Sequence, residues 1–352
     1  MRRRLIALLT LPVLGTLLLP PASAAVKTGA TCPKLNQSLI TAGYKFTCIK
    51  SGKKLVWSNG VKVTLQSLTD LHQVAARFSD ISSLAFRASL GTLRTAGIDN
   101  SKIALFLGPH SQDTAPSDFL AVHNVQKLFF GSNLPSNIDL FYYSSSDHDW
   151  AINKMMELIP RPEYMNSDDG PKTATDGTAI VALKYTGVPS QYVTSGALEA
   201  HEFFHTVQQR QFSNSQFKVW TMPRWWIEGG GRFVENLQLD NYDEKKYLLI
   251  SKNNELTQYN AQYFSDFLDA TTVPANGDAW TNSYNYSTAV VYGVGAKIQE
   301  MLVAFKGPSS LVGLMGEVAT SGDFLTSFNK LYGITWSEFV PLAAQSIYRS
   351  TR

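Results

Sequence analysis

Cysteine is scarce in this 352-residue chain: Cys32 and Cys48 are the only two. That scarcity excludes a multi-disulfide mini-protein, and with no second cysteine pair and no nearby histidine the two do not complete a four-ligand zinc site. Apolar runs long enough to span a bilayer are missing beyond the N-terminal segment, so no transmembrane segment is expected in the mature chain. Charge of one sign is missing as well, since 31 Lys and Arg face 28 Asp and Glu for a formal net charge of +3. A near-neutral chain without an evident Lys/Arg face gives no reason to expect a nucleic-acid partner. Internal repeats and low-complexity tracts are absent, which sets aside solenoids and propellers.

What is present begins at the front. Met1-Arg2-Arg3-Arg4 is a basic start, residues 5–19 are apolar, and Ala22-Ser23-Ala24 supplies the small residues of a cleavage site. Residues 1–24 therefore read as a secretory signal peptide cleaved near Ala24, and the protein is expected outside the cell. A membrane anchor fits less well, because the apolar run is interrupted by Pro12 and Pro20 and has no charged stop-transfer flank. Cleavage removes three arginines and no acid, taking the net charge to about 0. In an oxidising milieu Cys32 and Cys48 are expected to pair, and a loop of that size contributes on the order of 3 kcal/mol by the chain-entropy model.

Residues 25–58 form a short unit rich in Gly and Lys: Thr31-Cys32-Pro33, Gly43-Tyr44-Lys45-Phe46-Thr47-Cys48 and Gly52-Lys53-Lys54-Leu55-Val56-Trp57. It resembles a small disulfide module found at the front of many exported actinobacterial proteins. Its plain reading is a stapled appendage, since a unit this small needs a staple to fold. Its functional reading is contact with a cell-surface polymer through Lys and Trp.

Residues 59–352 read as one domain. A helical pattern runs through Leu68, Leu71, Val74, Ala75, Phe78, Leu84, Leu90 and Leu93 before Gly97. Strands follow at 103–107 and 139–143, then a helix at 148–158. Residues 166–178 are rich in Asp, Gly and Thr without the spacing of a calcium-binding EF-hand, so they read as a loop. A strand at 178–185, a turn at Pro189-Ser190 and a helix from a Ser195 cap to Gln211 come next. Further helices are predicted at 225–237, 287–305, 308–319, 324–331 and 336–349.

The chemistry lies on two of these helices. His201-Glu202-Phe203-Phe204-His205 is an H-E-x-x-H sequence, and residues four apart on a helix share a face, about 5 to 6 Å between Cβ atoms, so both imidazoles can meet one ion. Glu202, one step round the turn, reaches a water rather than the metal. A catalytic zinc needs a third protein ligand. Glu228 is the candidate, in Pro223-Arg224-Trp225-Trp226-Ile227-Glu228-Gly229-Gly230-Gly231-Arg232-Phe233-Val234-Glu235. Three helical glycines cost roughly 1 kcal/mol each against alanine, which points to a close approach of helix or ligand. Glu235, two turns beyond Glu228, is a candidate to orient a ligand histidine, with a surface ion pair as the alternative.

At these residues, together with Tyr292-x-x-Gly295, the chain resembles the gluzincins, zinc metallopeptidases of the peptidase MA-like superfamily, over roughly residues 180–348. The resemblance implies His201, His205 and Glu228 as ligands of one Zn2+ and Glu202 as general base. It also implies a tyrosine that stabilises the oxyanion, with Tyr292 the best match and Tyr284 and Tyr286 as rivals. No exopeptidase motif of Gly-x-Met-Glu-Asn type precedes the zinc helix, so an endopeptidase acting on a peptide or protein substrate is expected. The strand at 178–185 could pair with an extended peptide along its edge. His72, His110, His123 and His148 have no partner at ligand spacing and read as structural or solvent-facing. The expected fold is α+β and zincin-like, with a mixed or antiparallel sheet in the N-terminal half and a helical C-terminal half. The alternative is a noncatalytic secreted binding protein that keeps the same scaffold.

Overall fold

The computed structural model describes residues 26–41, 44–62, 65–71, 79–111, 119–131, 133–158, 172–173, 180–185, 195–239, 241–272 and 279–352. The expected signal segment, His72, most of the 166–178 loop and the Pro189-Ser190 turn lie outside the described residues. The chain divides into two compact units, residues 1–61 and 62–352.

In the first unit, β1 (Ser38–Thr41), β2 (Tyr44–Ser51) and β3 (Lys54–Trp57) form an antiparallel meander. Period-2 alternation sends Phe46 and Cys48 to one face of β2. Cys48 lies opposite Trp57 in the strand register and is bonded to Cys32, with the Cα atoms 5.7 Å apart. These four side chains are the unit's buried core. Trp57 is only 7% exposed, so the contact role expected for it is not available: its ring supplies the apolar volume this small unit otherwise lacks.

The second unit is α+β and mostly helical. Its elements before the site are α1 (Ser79–Thr95), β4 (Lys102–Leu107), α2 (Leu120–Leu128), β5 (Asn137–Ser144), α3 (His148–Met156), β6 (Lys172–Thr173) and β7 (Ile180–Tyr185). The sheet is mixed, in the order β4-β5-β7-β6, with only β6 antiparallel. β5 is buried on both faces, as a central parallel strand should be. Ile138, Leu140 and Tyr142 join the main core, while Phe141 and Tyr143 join Ala151 and Met155 of α3. Phe141 stacks on its cross-strand partner Phe106, ring centroids 4.6 Å apart. Along β7, residues 180–185 pair with β5 and Val181 and Ala182 also pair with β6. The edge expected to receive a peptide is therefore taken over that stretch, and the outer strand is Lys172–Thr173.

From α4 (Ala197–Gln211) onward the described chain is helical: α5 (Arg224–Leu239), α6 (Glu244–Ser251), α7 (Ala261–Thr272), α8 (Thr288–Lys306), α9 (Ser309–Ser321), α10 (Phe324–Tyr332) and α11 (Trp336–Ser350). α8 is buried almost all round and is the axle of this half. No described helix is long and apolar enough to cross a membrane. The start of α5 is pinned by an aromatic cluster. Trp225 stacks on Trp336 at 5.6 Å and donates its indole N–H to Thr272 Oγ1 at 2.9 Å. The expected Ser195 cap is displaced by one residue. Gly196, at φ +75°, holds the N-cap of α4, and Ser195 Oγ accepts only a long 3.4 Å bond from the Ala197 N–H. A side chain at 196 would meet Ala121 and Glu199 as well as the left-handed backbone, so glycine is required there.

Candidate metal centre

α4 turns Ala200, Phe203, Phe204 and Val207 into the core, which leaves His201 and His205 together on its other side. Their rings lie edge to face, 4.9 Å between centroids. α5 packs alongside and brings Glu228 Oε2 to 3.7 Å from each Nε2. The three donor atoms all lie within 4.8 Å of one another, and this is the metal-competent His/Cys/Asp/Glu cluster among the described residues. Tetrahedral zinc with ligand bonds near 2.05 Å places donors roughly 3.4 Å apart, so the cluster fits an ion with small side-chain adjustments.

Both imidazoles are oriented from behind. His201 Nδ1 is 2.9 Å from Glu235 Oε2, and Glu235, 4% exposed, is also held by Arg232 at 2.8 Å. His205 Nδ1 is 2.7 Å from Gln208 Oε1, and Gln208 donates its amide N–H to the Ile227 carbonyl at 3.0 Å. That second bond fixes which way the amide points, so its oxygen faces His205. A carboxylate and an amide oxygen can only accept, hence both Nδ1 atoms carry a proton, and it is the two Nε2 atoms, facing Glu228, that are left to a metal once His201 gives up its second proton. Gln208 escaped the sequence reading, although its i,i+3 spacing from His205 is a signal in hindsight.

The three glycines of α5 each answer a different neighbour. A Cβ at Gly229 would strike the backbone of Gly295 in α8. One at Gly230 would meet the Phe204 ring at 2.5 Å, and one at Gly231 would lie 2.7 Å from His201 Nε2. Close helix approach and close ligand approach are thus both present, at adjacent positions.

Glu202 is 8% exposed and accepts no hydrogen bond from the described residues, yet its charge acts on both His201 and Tyr292. Tyr292, from the first turns of α8, stacks on His201 at 5.8 Å and lies beside Glu228. Its rivals are elsewhere: Tyr286 packs on Phe267, ring centroids 4.9 Å apart, and Tyr284 is exposed beneath the Arg224 guanidinium. Burial and the Glu228 carboxylate push the Tyr292 hydroxyl well above its ordinary pKa, so it stays protonated. Next to it a polar cavity of about 270 Å³ is lined by Arg232, Asn236, Asn253, Tyr292, Lys297 and Glu300. Lys297 and Glu300 form a buried pair at 3.0 Å, shared with Ser82, Ser251 and Tyr247.

Burial alone would lower the pKa of His201, but hydrogen bonds to Glu228 and Glu235 and the charge of Glu202 outweigh it and raise the imidazolium to about 10 in the metal-free chain. Burial would raise Glu228, but His201 and His205 hold it at about 2. The sign of each follows from linkage. The His201 proton stabilises the metal-free fold fully below the unfolded value of 6.5, and that contribution is lost as pH rises through about 10. The Glu228 contribution is present above 4.5 and lost as pH falls through about 2. A metal must displace the His201 proton. Metal uptake at pH 7 to 8 is therefore expected to release a proton, with apparent affinity rising about tenfold per pH unit. Calorimetric titration in buffers of different ionisation enthalpy reads both quantities; a pH-independent affinity would contradict them.

Three other histidines each have a carboxylate partner. His110 pairs with buried Asp147 and His123 with Asp99, each at 2.5 Å, and His148 with exposed Asp149 at 3.4 Å. None belongs to a metal-competent cluster among the described residues. No protein-family model, no curated protein and no solved structure matches this chain.

Proposed function

We propose that the protein is a secreted, zinc-dependent peptidase of gluzincin type, acting on internal peptide bonds. The observation that carries this reading is the convergence of two His Nε2 atoms and one Glu228 oxygen, backed by Glu235 and Gln208, with the Glu202 carboxylate, which accepts no hydrogen bond among the described residues, beside them. Two imidazoles and one carboxylate are a donor set suited to zinc, with room left for a fourth ligand. Zinc there supplies Lewis acidity that polarises a peptide carbonyl and acidifies water. Glu202 takes a proton from the attacking water as its oxygen adds to the carbonyl carbon, and passes it to the nitrogen as the C–N bond breaks. Tyr292, kept protonated, donates a hydrogen bond to the developing oxyanion. Arg232 and Glu235 hold His201 in the required tautomer. Secretion is supported by the N-terminal signal pattern and is compatible with the Cys32–Cys48 bond.

The test is zinc stoichiometry of the purified mature protein after dialysis, beside a Glu228→Ala variant. About one zinc per chain, weakened a hundredfold or more in the variant, supports the site. No zinc in the wild type after reconstitution would sink it.

A further inference from the structure

The near-zero charge of the mature chain conceals a segregation. Residues 26–61 contain six lysines, Lys27, Lys34, Lys45, Lys50, Lys53 and Lys54, and no Asp or Glu. All 28 acidic residues fall after position 61, against 22 basic ones there. Residues 26–61 thus carry +6 and residues 62–352 carry −6. All six lysines are exposed, and within the unit no carboxylate exists to pair with them. Three of them crowd one place. The β2–β3 hairpin turns at Ser51-Gly52-Lys53-Lys54, with Gly52 at φ +61°, and Lys50 lies in the strand just before it. Lys54 faces Ser51 across the ladder and Lys50 faces Leu55, so the hairpin tip presents ammonium groups to both sides of the sheet. The disulfide and the packed Trp57 hold this tip on a rigid frame.

We propose that the N-terminal unit is a binding module for a linear, base-free phosphodiester polymer, and that the hairpin tip Lys50, Lys53 and Lys54 is its contact site. Lysine is a mobile point charge that reads repeating anions without demanding one geometry. Nucleic acid is the weaker match, because sequence-tolerant strand binding relies on exposed aromatic platforms, and Trp57 is enclosed while Tyr44 stands alone at 43% exposure. The inference is independent of the metal centre.

The test uses the intact mature chain and poly(glycerol phosphate) as the probe, with single-stranded DNA and anionic phospholipid vesicles alongside. Binding to the polymer is expected at 50 mM salt and should fall about tenfold or more by 200 mM, as counterion release requires. The triple variant K50Q/K53Q/K54Q should weaken binding about tenfold or more, while K50R/K53R/K54R should retain it. Unchanged circular dichroism guards against misfolding as the cause of a loss. The proposal is overturned if the wild type does not bind the polymer, if the glutamine variant binds as well as the wild type, if the arginine variant fails to bind, or if DNA or vesicles bind more tightly than the polymer.

Discussion

Glu202→Gln is expected to retain zinc at the wild-type level and to lose about a thousandfold in peptide hydrolysis. Glutamine fills the same volume beside His201, so the buried surroundings of a residue only 8% exposed need not rearrange. What it cannot do is take a proton. The carboxylate is outside the donor cluster of His201, His205 and Glu228, so removing its charge leaves all three ligand atoms in place. Zinc content by elemental analysis and turnover of a quenched-fluorescence peptide library separate the possibilities. A variant that binds zinc and still hydrolyses peptides would remove Glu202 from the mechanism. A wild type that binds zinc but hydrolyses nothing would favour a binding protein on the same scaffold.

The second large effect concerns stability, and its sign runs against helix propensity. Gly295→Ala adds a methyl group to the interior of α8, where propensity alone predicts a gain of about 1 kcal/mol. That methyl would land on the Trp225 carbonyl and near the Gly229 Cα of α5, 2.8 Å away. Backbone, unlike the end of a flexible side chain, cannot step aside, and overpacking of this kind costs about 1 to 3 kcal/mol or more. A net loss of about 2 kcal/mol is expected. Gly316→Ala, in α9, is the control: among the described residues nothing beyond the helix's own backbone lies within 4 Å of the added Cβ. There the same substitution should stabilise by up to about 1 kcal/mol. Urea unfolding of the two variants decides it; equal shifts would mean that the α5–α8 contact is looser than described.

The parts of the site that could be read from sequence are those in which spacing alone dictates geometry. His201 and His205 share a face because they are four apart on a helix, and the run Gly229-Gly230-Gly231 makes sense only if something approaches closely. Among Tyr284, Tyr286 and Tyr292 the resemblance favoured Tyr292, and the helix predicted from residue 287 already enclosed it; its place beside His201 was not legible, because that depends on how α8 packs on α5. Ser287 caps α8 by accepting from the Val290 N–H, which places Tyr292 inside the helix and beside His201 while its rivals precede the cap. Three helices of two turns or more went unnoticed. α2 hides because Asn124 and Gln126 are buried among its apolar residues and blur the periodicity. α6 and α7 are short, yet each carries a cap that was there to be read: Asp243 accepts from the Lys246 N–H and Asn260 from the Tyr263 N–H. The charge segregation was hidden for a simpler reason. A net charge summed over the whole chain cancels two units of opposite sign.

The Gly229–Gly295 contact also has a mechanical side. Two helices that meet through side chains can creep past one another as rotamers change, but a seam of bare backbone offers no such gearing. At this crossing the main chains of α5 and α8 are close enough that neither has room for a Cβ, so the two helices are held there backbone to backbone. Glu228 is the residue immediately before that point, whereas α4, which carries both histidines, lies outside the seam. Of the three candidate donors, the carboxylate is the one anchored next to that backbone contact, while the imidazoles take their place from a third helix.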